Sequence, residues 1–517
     1  MTRIVVGNVV CQLHTDRETL RTVRHHVAYR QRLMPPVEAQ RVIKRFFSKH
    51  RRYGSGDMAR LFADEAYCSE LEALGVSQET LTRSQFESTL RQRGIWDGWV
   101  RLVESDGTFP TGLLEHVERA LTLRAEAKYQ IEDERLVPSR GESWGAIPLY
   151  DYQQEAVAAF LKSERGVVNL PPRSGKTRIA VAVAASLGVP TLYLAPTVGI
   201  VEQTARVFHD LLPHKTTMAL HSGLSSSAKA HRKILAADVI ISTPKTAIKI
   251  PNIHTRLLLI IDEFHHAAAA TWKAASLAAN QAYWRLGLTG THFRADGKDL
   301  EMAGTLARAV YTRSVGDMVK LGRLVPARIA MLRIKGDLNA SGYEIYRQGV
   351  SEHEQRNQVL AGAANSLVKR DRRVLVLTKE INHAQRLSQL IEGSVAVDGR
   401  DNERVDQMLK DLAAGKVRAV VGTSVIGEGR DVPAADALVY ASAGQSKVRV
   451  VQDYFRALTA SQGKKTAVVV DVADSHHPTL LEHAARRLQH YRLEDSFEAE
   501  VIDPHCFDQW LDDNRTS

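Results

Sequence analysis

Gly166-Val-Val-Asn-Leu-Pro-Pro-Arg-Ser-Gly-Lys-Thr177 is the stretch from which the rest of the chain is read. Its apolar run, Val167 to Leu170, predicts a short strand; a turn follows, and a helix is expected from about Thr177. Ser174-Gly175-Lys176-Thr177 closes a P-loop. In such a loop the backbone N–H groups and the positive end of the following helix cradle phosphate oxygens. The lysine reaches the β- and γ-phosphates, and the hydroxyl holds Mg²⁺. A Gly-Lys-Thr triplet alone is common, but here a β-branched strand precedes it and an Ala/Val-rich helix follows, ending at Gly188-Val-Pro190. Leu170 and Arg173 stand where glycines are usual, and two placements of Arg173 are open: against a phosphate, or outward.

Eighty-six residues beyond Lys176 comes Asp262-Glu-Phe-His265, directly behind the apolar run Leu257 to Ile261. A carboxylate at the C-terminal end of a strand beside the P-loop strand can hold Mg²⁺. A second carboxylate there can orient the attacking water. Two adjacent acids are ordinarily just exposed; at the end of that strand, in a chain with a P-loop, they point to phosphoryl chemistry.

The 517-residue length predicts about three domains. With 44% hydrophobic and 25% charged residues, the chain can bury large cores. No apolar stretch is long enough to span a bilayer, and Met1-Thr-Arg-Ile-Val-Val reads as a strand, not a signal peptide. Cys11, Cys68 and Cys506 fit neither a disulfide framework nor zinc spacing, which implies a reducing, cytoplasmic setting. The formal charge of +10 suggests a polyanionic partner, unless the basic residues are simply spread over a solvated surface.

Residues 1–130 read as an α+β module. Ile4 to Leu13 alternates as a strand, and Thr15 is expected to cap a helix from Asp16 to Arg30, with Glu18 completing a capping box. Between Arg21 and Arg60 there are eleven Lys/Arg against two acids, concentrated at Lys44-Arg45 and Lys49-His-Arg51-Arg52. This is either a solvated helix face or a patch that tracks a phosphate backbone. The next thirty residues turn acidic, and 31–92 reads as an insertion. Short strands and Asp-Gly turns follow, with Trp96 and Trp99 read as core or as base-stacking residues, then a helix from 113 to 128. Residues 131–148 form a charged linker. Two runs of alternating strand and helix then occupy 149–325 and 326–475, each predicting a parallel sheet covered on both faces. A charged helical extension, 476–517, completes the chain. His265-His266 and His476-His477 lack the spacing of a metal site and are expected at the surface.

Taken together, these motifs resemble superfamily 2 helicases, over roughly residues 149–475. Gln153 matches the glutamine that reads adenine, and the resemblance implies that Ser174, Gly175, Lys176 and Thr177 hold the nucleotide. The resemblance implies that Thr177 and Asp262 hold Mg²⁺ and that Glu263 positions water. Ala195-Pro196-Thr197 with Gln203, His221-Ser-Gly223 and Ser242-Thr243-Pro-Lys245-Thr246 resemble strand-tracking motifs. Leu288-Thr289-Gly-Thr291 resembles the motif that, with His265, couples the phosphate site to the nucleic-acid groove. In the second half, the run Val421-Gly-Thr423 through Gly429-Arg-Asp431-Val-Pro433 and then Gln452-Asp-Tyr-Phe-Arg456 match motifs V and VI. The resemblance implies nucleotide contacts from Gly429 and Asp431, catalytic roles for Gln452 and Arg456, and nucleic-acid contact at Thr423. Motif VI departs from the pattern at Phe455 and Thr459, and motif III at His292.

Gly94-Ile-Trp-Asp-Gly98, Val100 to Val103 and Phe109-Pro-Thr-Gly-Leu-Leu114 resemble the N-terminal domain of UvsW-type phage recombination helicases. So do Asn169 to Pro171 and Ser446-Lys447. That family implies ATP- and Mg²⁺-dependent remodelling of branched DNA: fork regression, junction migration and R-loop removal, by two tandem RecA-like α/β domains; separately, the protein is expected to be a monomer. Two other readings compete, a weakly hydrolysing ATP-dependent nucleic-acid clamp and an RNA helicase.

Overall fold

A computed structural model of the chain describes residues 2–30, 99–221, 228–267, 269–290, 298–398, 401–423, 435–444, 454–455, 458–461 and 464–513. The insertion 31–92, with its Lys44, Arg45, Arg51 and Arg52, and Trp96 just after it lie outside the described residues.

Contacts divide the chain into two units, the first comprising Met1–Pro138, Ala267–Tyr283 and Phe293–Arg308. Its sheet contains β1 (Thr2–Val6), β2 (Val10–His14), β5 (Thr108–Pro110) and β6 (Tyr129–Asp133), in the order β5-β2-β1-β6. A separate pair joins β3 (Ala28–Arg30) to β4 (Trp99–Arg101). The expected single strand from Ile4 to Leu13 is a hairpin. The chain reverses at Gly7, whose N–H donates to Val10 O at 3.1 Å, and a Cβ there would meet that oxygen at 2.6 Å. Asp16, not Thr15, caps the helix: its carboxylate accepts from Thr19 N at 2.8 Å, and the helix runs only from Arg17 to His26. Glu18 is therefore not the partner of a capping box. The expected linker also begins later, since Tyr129–Asp133 pairs in parallel with β1. Ile4, Leu13, Val23, Phe109, Leu113, Val117 and Ala303 form one buried core, so the helix Lys298–Thr305 packs with this unit.

The second unit comprises Ser139–His266, Trp284–His292 and Ala309–Ser517 and holds two seven-stranded sheets. The first contains β7 (Arg165–Asn169), β8 (Thr191–Leu194), β9 (Thr217–Leu220), β10 (Val239–Ser242), β11 (Leu258–Ile261), β12 (Trp284–Thr289) and β13 (Ala309–Thr312), in the order β13-β7-β12-β11-β8-β10-β9. Every pairing is parallel. β8, β10, β11 and β12 are buried at every position, as parallel strands covered on both faces must be. One expectation is corrected. The Asp262 strand β11 is not beside the P-loop strand β7, because β12 lies between them. Carboxylates still reach the phosphate site because β7, β12 and β11 all end on the same edge.

The second sheet contains β14 (Ala327–Ile334), β15 (Val374–Thr378), β16 (Ser394–Val397), β17 (Ala419–Thr423), β18 (Ala437–Tyr440), β19 (Ala467–Asp474) and β20 (Phe497–Ile502), in the order β16-β17-β15-β18-β19-β14-β20. Its pairings are likewise all parallel. The fold is thus α/β, with two RecA-like parallel-sheet domains and a small α+β N-terminal region. The charged extension is not purely helical: β20 pairs with β14, and Phe507 and Trp510 enter the core of this sheet.

Two fully buried ion pairs fasten β19 to its flanking helices. Arg487 on the helix Pro478–Arg492 donates to both carboxylate oxygens of Asp471, at 2.8 and 3.1 Å. Arg356 on the helix Glu354–Lys369 does the same to Asp474, with its shorter contact at 2.8 Å. His476, expected at the surface, is 2% exposed, and its Nε2 sits 2.9 Å from Gly349 O. His477 caps the following helix by accepting from Thr479 N.

Candidate nucleotide and nucleic-acid site

The P-loop follows β7, and its helix Lys176–Leu187 begins behind Gly175, which adopts φ +74°. A Cβ at Gly175 would meet Gln153 Nε2 at 2.4 Å, so glycine is needed both for its backbone angle and for its lack of a side chain. The Lys176 ammonium donates to the carbonyls of Leu170 and Pro171, each at 3.2 Å. Burial lowers its pKa, Arg173 adds to that lowering, and Glu263 and Asp262 oppose it. Ser174 is buried and donates through Oγ to Pro171 O at 2.8 Å. Thr177 occupies the first turn of the helix.

Gln153 lies in the first turn of the helix Asp151–Ser163 and is 1% exposed. Its Oε1 accepts from Tyr150 N at 3.0 Å and its Nε2 donates to Ser174 O at 3.0 Å, so it ties a helix N-terminus to the P-loop. The Tyr152 hydroxyl donates to the same Ser174 oxygen at 2.8 Å. Arg323 lies over the Tyr150 ring, 3.4 Å from its centroid.

Asp262 and Glu263 leave the C-terminal end of β11. Burial raises the Asp262 pKa to about 6, the Glu263 charge adds to the shift, and Lys176 opposes it. Burial also pushes the Glu263 pKa upward, but His265 and Lys176 outweigh it and hold the carboxyl below its ordinary value. His265 Nδ1 stands 3.3 Å from Glu263 Oε2, off hydrogen-bond alignment. Those two atoms and His265 Nε2 are buried without an aligned hydrogen-bond partner. Such a pair costs free energy unless a ligand or water completes it, so a hydrated, metal-bound triphosphate suits the site. His265 is therefore an inward-facing residue, not the surface histidine its pairing with His266 suggested. Among the described residues no group of three metal-ligating side chains is clustered. A metal here would share its coordination with phosphate and water, as Mg²⁺ commonly does.

Thr289 ends β12 and is buried, and its carbonyl accepts from Leu170 N at 3.0 Å. A Cβ on the next residue, Gly290, would come within 3.3 Å of Lys176 Nζ. The strand-tracking residues follow β8, β9 and β10, which are neighbours on the other half of the sheet. Pro196 and Thr197 follow β8, and Thr197 caps the next helix by accepting from Ile200 N. Thr243 follows β10, donates to Thr246 Oγ1, and leads to Lys245, which is exposed. His221 Nε2 pairs with Glu202 Oε1 at 2.6 Å. These loops therefore share the edge on which the P-loop opens, where ligands of such sheets bind. Thr423 ends β17 in the second sheet.

Thr291, Gly223, Gly429, Asp431, Gln452 and Arg456 lie outside the described residues, as do Lys44, Arg45, Arg51 and Arg52. Around motif VI, Tyr454 and Phe455 are buried. Thr459 bridges Leu324, flanked by Val325 N to Leu458 O at 2.9 Å and Ala460 N to Arg323 O at 3.2 Å. Sequence reasoning missed Tyr152, Tyr193, whose buried hydroxyl faces Asp262, and Arg323. A tyrosine in the fully buried β8 was the available signal for Tyr193; nothing local marks Arg323.

The chain matches two families: residues 146–294 the one described as "Type III restriction enzyme, res subunit", and residues 356–461 the "Helicase conserved C-terminal domain". With its paired parallel sheets and P-loop geometry, the chain is a superfamily 2 helicase and an ATP-hydrolysing enzyme. Within that class it is similar to the ATP-dependent DNA helicase uvsW of Enterobacteria phage T4. The two are 23% identical over 77% of this chain and 88% of the phage protein. It is also similar to the DNA 3'-5' translocase XPB2 of Sulfurisphaera tokodaii, at 26% identity over 63% of this chain and 81% of that one. A solved structure of the ATP-dependent Type ISP restriction-modification enzyme LlaBIII bound to DNA shares the fold. It has 16% identity and a TM-score of 0.53, covering 77% of this chain and 36% of that one.

Proposed function

We propose that this enzyme is an ATP-driven DNA helicase or translocase that remodels branched DNA: forks, four-way junctions and R-loops with their RNA–DNA hybrid. The observation that carries the reading is the enclosed Lys176 ammonium facing Asp262 and Glu263 at one sheet edge, with the strand-tracking loops along the same edge. Thr177 and Asp262 would hold Mg²⁺, which when bound neutralises phosphate charge and orients the terminal phosphate. Glu263, held ionised by His265 and Lys176, accepts a proton from the attacking water. Gln153 keeps the loop in register while its neighbourhood takes the base. Arg456 and Gln452, with Gly429 and Asp431, act from the second RecA-like domain, so hydrolysis is linked to domain opening and closing.

Pro196, Thr197, Gly223, Thr243, Lys245 and Thr423 would touch nucleic acid, chiefly through phosphate contacts that carry no sequence information. Lys44, Arg45, Arg51 and Arg52 would extend that footprint. Residues 1–130 would select duplex or junction shape, 149–325 and 326–475 would form the motor, and 131–148 and 476–517 would connect and complete it. The protein would act as a monomer in the cytoplasm. Among the described residues no helix is long and apolar enough to cross a membrane.

Thr459, uncharged within motif VI, favours a second reading, a clamp that binds ATP and DNA but hydrolyses slowly. ATP turnover and strand separation on forked, four-way, R-loop, linear duplex and RNA substrates decide between them. Greatest turnover with strand separation on forked and four-way DNA supports the remodelling reading. ATP-dependent binding without strand separation on any substrate assigns the clamp, and preferential stimulation by RNA assigns an RNA helicase.

A further inference from the structure

We propose that Arg323 is a positioning residue for ATP hydrolysis, joining the base side of the nucleotide site to the motif VI segment. The inference rests on the ATPase reading and adds a residue to it. Arg323 lies in the connector between the two parallel sheets, after the helix Val315–Lys320 and before β14. Its guanidinium stacks on the Tyr150 ring, 3.4 Å from the centroid. Its carbonyl accepts from Ala460 N at 3.2 Å, beside the bridge of Leu324 to Thr459 and the 2.9 Å bond from Val325 N to Leu458 O. One residue thus holds the start of the helix Asp151–Ser163 by its side chain and motif VI by its main chain.

The contacts beyond Tyr150 lead to the phosphate loop. Tyr150 N donates to Gln153 Oε1, and the amide of Gln153 holds Ser174 O. The Tyr150 ring lies nearly parallel to that of Tyr152, and the Tyr152 hydroxyl donates to the same Ser174 oxygen. The connector's other end is fixed to the same helix. Arg313 pairs with Glu155 at 2.6 Å, and its N–H donates to Asn169 O at the end of β7. Leu324, Val325 and Leu458 are buried, so the paired motif VI segment moves with the connector. A planar guanidinium on an aromatic face is held by the charge distribution of the ring. Tyr150 is 46% exposed, so a base arriving beside Gln153 bears on this stack. Thr459 adds no charge to draw motif VI toward a phosphate, and the clasp on Tyr150 sets its place instead. Because the clasp touches no phosphate, its loss lowers turnover more than nucleotide affinity.

Coupling along such a series of contacts shows as non-additivity between its members. Steady-state ATP turnover with saturating DNA is compared for wild type, Arg323→Lys, Arg323→Ala, Tyr150→Ala and the double alanine variant. Arg323→Ala is expected to lower kcat about 10-fold while KM for ATP stays within about 3-fold, with Arg323→Lys intermediate. Tyr150→Ala should also lower kcat, and the double variant should fall within about 2-fold of the slower single one. A double variant slowed by the product of the two single losses overturns the proposal. So does unchanged kcat in Arg323→Ala, whether or not KM rises. Energy transfer between dyes on the two parallel sheets supplies a readout that needs no turnover. A non-hydrolysable ATP analogue should change the transfer in wild type and not in Arg323→Ala, with calorimetric affinities within about 3-fold. An equal change in both proteins, or none in wild type, overturns the proposal. A wild type without DNA-stimulated turnover would sink the motor reading, while the transfer measurement would still test Arg323.

Discussion

Gln153 and Ser174 are joined by a hydrogen bond of 3.0 Å from the side-chain amide to the P-loop carbonyl, while the same amide's oxygen holds Tyr150 N at 3.0 Å. One buried side chain thus fixes the loop against the helix that precedes it. Substitution Gln153→Ala frees Ser174 from one of its two side-chain donors and leaves Tyr150 N without its cap. Affinity for ATP and for ADP should fall together by about 10-fold, corresponding to one or two lost hydrogen bonds. Equilibrium binding of both nucleotides checks this; unchanged affinity would show that Tyr152 alone positions the loop.

His383 is a second buried group with a measurable consequence. Burial first, then the Arg356 and Arg386 charges, lower its pKa to about 3, and its Nε2 lies 2.8 Å from Asn357 Oδ1. The folded protein therefore binds this proton far less readily than the unfolded chain does. The resulting stability is fully present above about pH 6.5 and is lost as pH falls toward 3, at up to about 1.4 kcal/mol per pH unit. Denaturation of wild type and His383→Gln between pH 7 and 4.5 should give a shallower pH dependence for the variant. Parallel curves would show that His383 is not held neutral.

The Asp471–Arg487 pair ties the helix Pro478–Arg492 to the motif VI segment, because Asp471 also accepts from Tyr491 at 2.6 Å and from Tyr454 at 3.3 Å. Asp471→Asn leaves a buried guanidinium without its counter-charge, at a cost of about 3–5 kcal/mol. The double substitution Asp471→Leu with Arg487→Met should recover most of that loss. Urea unfolding of the three proteins tests the expectation, and a double variant as unstable as the single one would contradict it.

Much of this architecture was legible in the chain itself. The apolar runs Val167 to Leu170 and Leu257 to Ile261 gave β7 and β11 to within two residues, because strands buried on both faces cannot hide among polar positions. β9 and β13 were not legible, since their half-buried edge sequences Thr217–Leu220 and Ala309–Thr312 carry a weaker apolar signal. β20 escaped for the related reason that Phe497–Ile502 alternates with glutamates on a sheet edge. Lys176, Asp262 and Glu263 could be placed from motif spacing and strand ends. The inward turn of His265, the Tyr193 hydroxyl at Asp262 and the stacking of Arg323 on Tyr150 could not. Each depends on which distant segments the sheet order brings together, and the position of β12 between β7 and β11 is likewise a property of topology.

The central claim is that Lys176, Asp262 and Glu263 form a nucleoside-triphosphatase site driven by DNA. Phosphate release by wild type and Lys176→Ala, with and without forked DNA, tests it most directly. The account predicts turnover that rises at least about 10-fold on adding DNA and is abolished in Lys176→Ala. Wild-type turnover that is indifferent to every DNA, or that survives the loss of Lys176, would contradict it.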